Sequence, residues 1–327
     1  MDFDLTEDQR EIKGVARELL AARSPLARVR VAAESREYDT GLWSEIVGLG
    51  WPGIAVAEEY GGQGLGAVEL AVLLEELGYA CAATPFLSCG LAAAVIQAGG
   101  SEAQRSRWLP GLASGELTAG LGPRALVLDG EGADVAVVLD GDEALLVTAP
   151  ESETVETIDP TRRFARVSGD GEPLERGAAA RALAGIAAEM VGVCQRSLEM
   201  TLEYVKDRKQ FGVAVGSFQA VAHRCAQMLL DTEGTRSTAY FAAWAADADP
   251  ERLGEAAALA AAAAAGGGRD VVASAIQAHG GIGFTWEADV HWFYKRAQLN
   301  AALLGGTGRH HAALARAAAA RVALPAG

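Results

Sequence analysis

Two loop segments carry the residue types that could hold a phosphate-containing ligand. The first, "DRKQFGVAVGSFQ", follows a predicted helix and contains Arg208, Phe211 and Gln219. A guanidinium can bind a pyrophosphate through two parallel hydrogen bonds, so this segment predicts an anion site. The alternative is an ordinary helix–turn–helix corner with a solvated arginine, in which Ser217 caps the second helix.

The second segment, "QAHGGIGFTWE", offers Gln277 for hydrogen bonding and glycines at 280 and 281. Glycine lets a backbone approach a ligand closely. The segment follows a predicted helix rather than a strand, so it is not a dinucleotide-binding fingerprint. Either loop taken alone is typical of a structural turn.

Composition limits the classes of partner. The 327 residues carry a net charge of −15, which argues against nucleic acid but not against a small anion held by a few local cations. No apolar run is long enough to span a membrane, and "MDFDLTEDQREIKG" is unlike a signal peptide, so a cytoplasmic location is expected. The four cysteines lack metal-ligand spacing, so we predict that they are buried thiols. The adjacent His310 and His311 do not face one another on a helix, so we predict no metal site there either.

The periodicity of apolar residues predicts a mainly α protein with a small β insert. Thr6 and Ser101 begin capping boxes, and Asp140-Gly141 joins two β-rich runs as a hairpin. From Gly177 onward, long apolar stripes with short connections are typical of an antiparallel bundle. The predicted domains are an N-terminal helical domain (1–116), a reduced β domain (117–176) and a C-terminal helical bundle (177–327).

The paired loops resemble the two C-terminal signatures of the acyl-CoA dehydrogenase family. The matching residues are Arg208-x-x-Phe211-Gly212 with Phe218-Gln219, and Gln277-x-x-Gly280-Gly281-x-Gly283-Phe284. Residues 50–80, 100–122 and 158–167 are also similar to family segments, so the resemblance covers almost the whole chain. It implies the same three-part fold.

The resemblance also implies chemistry. Family members bind FAD and oxidise acyl-CoA thioesters: a carboxylate removes the α-proton while the β-hydrogen leaves as hydride to the flavin. Their FAD lies across a subunit interface, with the neighbour's bundle holding the pyrophosphate and adenosine. The resemblance therefore assigns cofactor binding to Arg208, Phe211, Gln219, Gln277, Gly280 and Gly281, and a further cofactor contact to Thr307.

Two departures from the family pattern concern the catalytic half of the site. The chain runs through "SGELTAGLG" without the family's Thr-Glu-Pro-x-Ala-Gly-Ser-Asp flavin loop, and Thr118 and Gly120 are poor substitutes. The usual Tyr-Glu-Gly-Thr motif aligns with residues 304–307, so Gly305 stands where the catalytic Glu is expected. Some members carry the Glu earlier, but the corresponding segment 178–185 contains no acid. We therefore predict no catalytic residue.

This asymmetry predicts a subunit that lends its cofactor surface to a homologous partner. The arrangement resembles the α2β2 heterotetramers of actinobacterial steroid side-chain catabolism, in which the partner would bind most of the acyl-CoA.

Two alternatives remain. One is a self-sufficient homo-oligomer with an unusual base, Glu189 or an acid at Glu58-Glu59. We expect Glu189 to face solvent or pair locally, and Glu58-Glu59 to be structural. The other is a non-catalytic scaffold that binds a CoA thioester or a protein.

Overall fold

The computed structural model of the chain describes residues 4–323, with side chains described as far as Arg321. Residues 1–3 and 324–327, the predicted ends of the first and last domains, lie outside the described residues.

Six helices form the N-terminal part of the chain. Both predicted capping boxes are confirmed: the Thr6 hydroxyl accepts from the backbone of Gln9 at 3.2 Å, and Ser101 makes the equivalent contact with Gln104. The sequence pattern did not predict the second helix, in which only three residues are buried. The helices are α1 (Glu7–Arg23), α2 (Leu26–Ser35), α3 (Thr40–Gly48), α4 (Ala67–Tyr79), α5 (Phe86–Gly99) and α6 (Glu102–Ala113).

A seven-stranded sheet follows these helices. The predicted hairpin is confirmed as the antiparallel β3–β4 pair, which Gly141 closes at φ +62°. The central strand β1 is buried throughout and pairs in parallel with β3. The strands are β1 (Ala119–Gly122), β2 (Val127–Leu128), β3 (Val135–Asp140), β4 (Glu143–Thr148), β5 (Glu151–Val155), β6 (Phe164–Ser168) and β7 (Glu172–Pro173), in the order β5-β6-β2-β1-β3-β4-β7.

The remainder of the chain is a helical bundle built around α7 (Ala179–Asp207). The buried face of α7 contacts α4 and the other long helices of the bundle. Helices α9 and α10 are joined by a π-helical segment, Ala264–Gly268, so the chain runs helically from Pro250 to His279. The helices are α7 (Ala179–Asp207), α8 (Gln219–Ala248), α9 (Pro250–Ala263), α10 (Arg269–His279), α11 (Val290–Leu303) and α12 (Gly308–Ala323), and the short strands β8 (Lys209–Gln210) and β9 (Val213–Ala214) join α7 to α8.

The predicted fold class, mainly α with a small β insert, is confirmed. Secondary structure changes type between α6 and β1 and between β7 and α7, close to the predicted domain boundaries, which themselves remain predictions. Within residues 4–323, no helix is both long and apolar enough to cross a bilayer. All four cysteines are free thiols, and burial raises the pKa of Cys89 and of Cys194 to about 12. No group of His, Cys, Asp and Glu in the described chain could hold a metal ion.

Candidate functional site

The first predicted loop is a tight exposed hairpin at the end of α7. Arg208 ends the helix, its N–H donating to Tyr204 O at 2.9 Å, and β8 and β9 then pair across Phe211 and Gly212. Both central residues have positive φ, 53° and 83°, as a two-residue hairpin turn of primed type requires. The Phe211 side chain is 93% exposed. Its ring lies 6.2 Å from that of Phe218, which is 38% exposed, so the two form a small exposed aromatic patch.

Helix α8 begins differently from the prediction. Ser217 does not cap it: the Ser217 hydroxyl donates to Ala214 O at 2.6 Å, within the turn that precedes the helix. Phe218 occupies the N-cap position without a side-chain bond, and Gln219 is the first helical residue. Gln219 is exposed, so its amide is accessible to a ligand or partner.

The second predicted loop contains glycines of two kinds. Gly283 is required by packing, because a Cβ there would lie 2.5 Å from Ile276 O. Gly280 is required by its φ of +63°. By contrast, a Cβ on Gly280 or Gly281 would meet no atom within 4 Å, and Gln277 is exposed. The backbone at 280–281 therefore leaves open space that a ligand or partner could approach.

The structure brings the two loops to one groove. Tyr204 and His279 stack with ring centroids 4.6 Å apart, which ties the end of α7 to the end of α10. With Arg208 and Ile282 they line a groove of about 640 Å³. The His279 Nδ1 lies 2.8 Å from Ala275 O, one turn earlier in α10. Phe211, Gln219, Gln277, Gly280 and Gly281 are exposed but do not line the groove.

The bend around Gly305 has a structural role. Gly305 and Gly306 both adopt left-handed φ, 76° and 71°, and their N–H groups bond back to Ala302 O and Ala301 O, which closes α11. A Cβ on Gly305 would lie 2.8 Å from Arg309 Nε. A carboxylate-bearing residue at 305 would therefore need both a strained backbone and a displaced arginine.

Thr307, the remaining predicted cofactor contact, is not part of the groove. It sits at the start of α12, where Thr307 O accepts from the N–H groups of His310 and His311. Its Cγ2 would lie 3.2 Å from a Cβ built on Gly266 of the π-helical segment. This position belongs to the bend rather than to the exposed loops.

The expectation that Glu189 faces solvent or pairs locally is wrong, because it is buried and its partners are distant in the sequence. Glu189 is 2% exposed, and its Oε1 pairs with Arg162 and lies 3.3 Å from Arg296 Nη1. Its Oε2 accepts from Asn300 Nδ2 at 2.8 Å. This contact could not be predicted from local sequence patterns, because the partners come from the β5–β6 loop and α11, which are distant from Glu189 in the chain. With Asp159 these residues form a buried ionic cluster of two carboxylates and two guanidiniums.

Two members of the buried cluster, Asp159 and Arg296, have pKa values that favour their charged forms. Burial alone would raise the pKa of Asp159, but Arg296 and Arg162 outweigh that effect and hold it below its ordinary value. The pKa of Arg296 is raised despite burial, because Cys81, Asp159 and Glu189 surround it. Since both Glu189 oxygens are already engaged, this carboxylate is not a free base.

The segment that lacks the family's flavin loop forms a closely packed strand. The Thr118 N–H donates to Asp134 Oδ2 at 2.8 Å, and the Thr118 hydroxyl contacts the same oxygen. A Cβ on Gly120 would lie 2.8 Å from Val127 Cγ1, and one on Gly122 would lie 2.9 Å from Leu303 Cδ2. Strand β1 therefore packs directly against β2 and the end of α11.

The two other candidate acids, Glu58 and Glu59, and the alternative position near the start of α7 do not supply a catalytic base. Glu58 and Glu59 are exposed on a short 3-10 turn, where Glu58 packs beside Gly64. At the alternative position near the start of α7, Ala182 is fully buried and Arg181 donates to Ala246 O at 2.9 Å.

Comparison with known proteins identifies relatives along most of the chain. Residues 6–116 match the family model "Acyl-CoA dehydrogenase, N-terminal domain", and residues 175–319 match "Acyl-CoA dehydrogenase, C-terminal domain". Acyl-CoA dehydrogenase IpdE2 of Mycobacterium tuberculosis is 36% identical over 310 residues, covering 91% of this chain and 93% of that protein.

Solved structures with this fold include assemblies of two different chains. A variant of the Tcur3481–Tcur3483 steroid ACAD superposes with a TM-score of 0.86 at 28% identity, covering 97% of this chain and 99% of that one. A chain of the ChsE4–ChsE5 complex from Mycobacterium tuberculosis superposes with a TM-score of 0.86 at 25% identity, covering 100% of this chain and 100% of that one.

Proposed function

The chain belongs to the acyl-CoA dehydrogenase family, and from that premise we propose that it is one subunit of a heteromeric FAD-dependent acyl-CoA dehydrogenase. A homologous subunit completes an α2β2 assembly and binds most of the acyl-CoA, for which a steroid side-chain thioester is our candidate. When bound, FAD supplies the acceptor for the β-hydride. This chain lends the surface that holds the adenosine and pyrophosphate.

The residues present fit that lending role. Arg208 lies in the groove as a cation suited to a pyrophosphate, and Phe211 is exposed and available for contact with a partner. Gln219 and Gln277 are exposed amides that can hydrogen-bond the cofactor, and the open backbone at Gly280 and Gly281 permits close approach. We keep Thr307, at the bend, as a proposed contact to the cofactor.

One observation carries the proposal: the acid best placed to replace the missing base is already neutralised. Glu189 is held by Arg162, Arg296 and Asn300, while Gly305 offers no side chain. Removal of an α-proton needs a carboxylate within hydrogen-bond reach of the α-carbon. That carboxylate must therefore come from another subunit. The names of the two solved relatives, each a pair of chains, support the same assembly.

Co-expression with a longer family member encoded beside this chain tests the proposal. We expect turnover of acyl-CoA thioesters, followed with an artificial electron acceptor, by the complex and none by this chain alone. Robust turnover by the chain alone would instead favour the self-sufficient enzyme. In that case Glu189→Gln should abolish activity, whereas the proposal expects a folded Glu189→Gln complex to remain active. A purified complex that never carries flavin would favour the scaffold.

A further inference from the structure

A cavity of about 550 Å³ lies between α4, α5, the start of α7 and the end of α8. None of its lining residues belongs to the β domain, to the exposed loops at 208–219 and 277–284, or to the bend at 304–307. Ala182 and Glu189 are also absent from its lining. The cavity is therefore separate from the surfaces assigned to the cofactor and from the position of the missing base.

Small side chains create this space. Its walls are mostly alanine and glycine, with Leu70 and Leu91 at its buried base. Gly185 lets Leu91 pack closely against α7, because a Cβ there would lie 2.2 Å from Leu91 Cδ2. The exposed residues Leu65 and Pro250 mark its mouth. A mainly apolar space of this volume falls within the usual range for small-molecule sites.

Two charged side chains line this cavity, Arg181 and Asp247, and within the described residues no ion pair shorter than 4.0 Å joins them. Arg181 is half-buried and donates to Ala246 O at 2.9 Å, and in the part of the chain that the structure describes it forms no ion pair. Asp247 interacts electrostatically with Arg181, its Oδ2 accepts from the Ala67 N–H at 2.7 Å, and burial raises the pKa of its carboxyl. Burial lowers the pKa of Arg181, which shows that its charge is only partly compensated.

We propose that this cavity reversibly binds an apolar carboxylic acid. The ligand carboxylate pairs with the free N–H groups of Arg181, and the tail lies along the alanine wall toward Leu91. A guanidinium and a carboxylate match in shape and charge, and the pair is stronger where water is partly excluded. The same apolar lining excludes small polar anions, since they would leave the wall unfilled.

Binding of decanoate to the purified full-length chain tests this site, with decanol as the probe that keeps the tail and removes the charge. By calorimetry we expect saturable binding of decanoate at one site per chain and binding of decanol at least about tenfold weaker. Equal binding of both probes, no saturable binding, or binding of decanoyl-CoA but not of decanoate would overturn the proposal.

Two variants locate the site. Arg181→Gln should weaken decanoate binding at least about tenfold, and Ala94→Leu, which fills the cavity but keeps the arginine, should do the same. Arg28→Gln, at an exposed arginine of α2 outside the cavity, is the matched control and should bind as the natural chain does. Undiminished binding by folded Ala94→Leu refutes the site even if Arg181→Gln does not fold. Because the chain is tested alone, this result is independent of any partner subunit.

Discussion

The Glu189 carboxylate lies 3.3 Å from the Arg296 guanidinium, and both side chains are almost completely inaccessible to solvent. With Asp159 and Arg162 they balance two negative charges against two positive ones. The cluster joins the β5–β6 loop to α7 and α11, so it fixes the β domain on the bundle. The Glu189 carboxylate therefore joins the β domain to the bundle and is not free to act as a base.

Glu189→Gln should lower the free energy of unfolding by about 3 kcal/mol, because it leaves two buried guanidiniums with one carboxylate between them. Urea unfolding followed by circular dichroism measures the change. Glu203→Gln, an exposed position on the same helix, should stay within about 0.5 kcal/mol of the natural chain. A Glu189→Gln variant as stable as this control would mean that the buried cluster does not stabilise the fold.

Gly305→Glu should fail to create an active enzyme without a partner. The new side chain would require φ near +76° and would meet Arg309, and no flavin loop is present beside it. We expect a loss of about 1–3 kcal/mol in stability from the backbone strain, with Gly305→Ala showing a similar loss. Acyl-CoA oxidation and thermal unfolding measure the two effects. Robust oxidation by the single variant would show that the interpretation of the short β domain is wrong.

Phe211→Ala should weaken association with the partner but leave the chain's own stability unchanged. The side chain is 93% exposed, so its removal takes almost nothing from the core. An exposed aromatic that becomes buried at an interface contributes about 2 kcal/mol or more to binding. Leu230→Ala, an exposed apolar residue (65%) on α8, is the matched control. If analytical ultracentrifugation finds the same dissociation constant for both variants, Phe211 has no special role in assembly.

Because of Asp129, the stability of the folded chain should fall as the pH rises from about 4 to about 6. Burial raises the pKa of Asp129 from 3.8 to about 6, although Ser88 and Tyr38 donate hydrogen bonds to it. Between those values the folded chain binds more protons than the unfolded chain, so the stabilising protonated form is present at low pH and lost as pH rises through about 6. Relative to the natural chain, Asp129→Asn should gain up to about 3 kcal/mol between pH 4 and pH 7. If the free energies of unfolding of the two chains differ by the same amount at every pH between about 4 and 7, this assignment is refuted.

Local signals in the sequence predicted local structure. The capping boxes at Thr6 and Ser101, the β3–β4 hairpin and the turn at Phe211-Gly212 depend on residues within a few positions of one another, and each was found. Helix α2 was not predicted because its buried face consists of one valine and two alanines. Ser217 had the right residue type for a cap but bonds within its own turn.

Features that depend on distant residues could not be predicted. The cluster around Glu189 joins residues more than one hundred positions apart in the chain. The pairing of the two exposed loops was inferred only through resemblance, whereas the structure supplies its physical basis in the stacking of Tyr204 on His279. The cavity beside Arg181 left no trace in the sequence beyond an abundance of alanine.

The amount of flavin bound per chain tests the central claim most directly. In a complex of this chain with its partner, each pair of unlike chains contains two clefts, of which only the partner's has both a base and a flavin loop. Flavin absorbance after gentle purification should therefore give one FAD for each pair of unlike chains, and none for this chain alone. One FAD for every chain, or a flavin-saturated preparation of this chain by itself, would contradict the account.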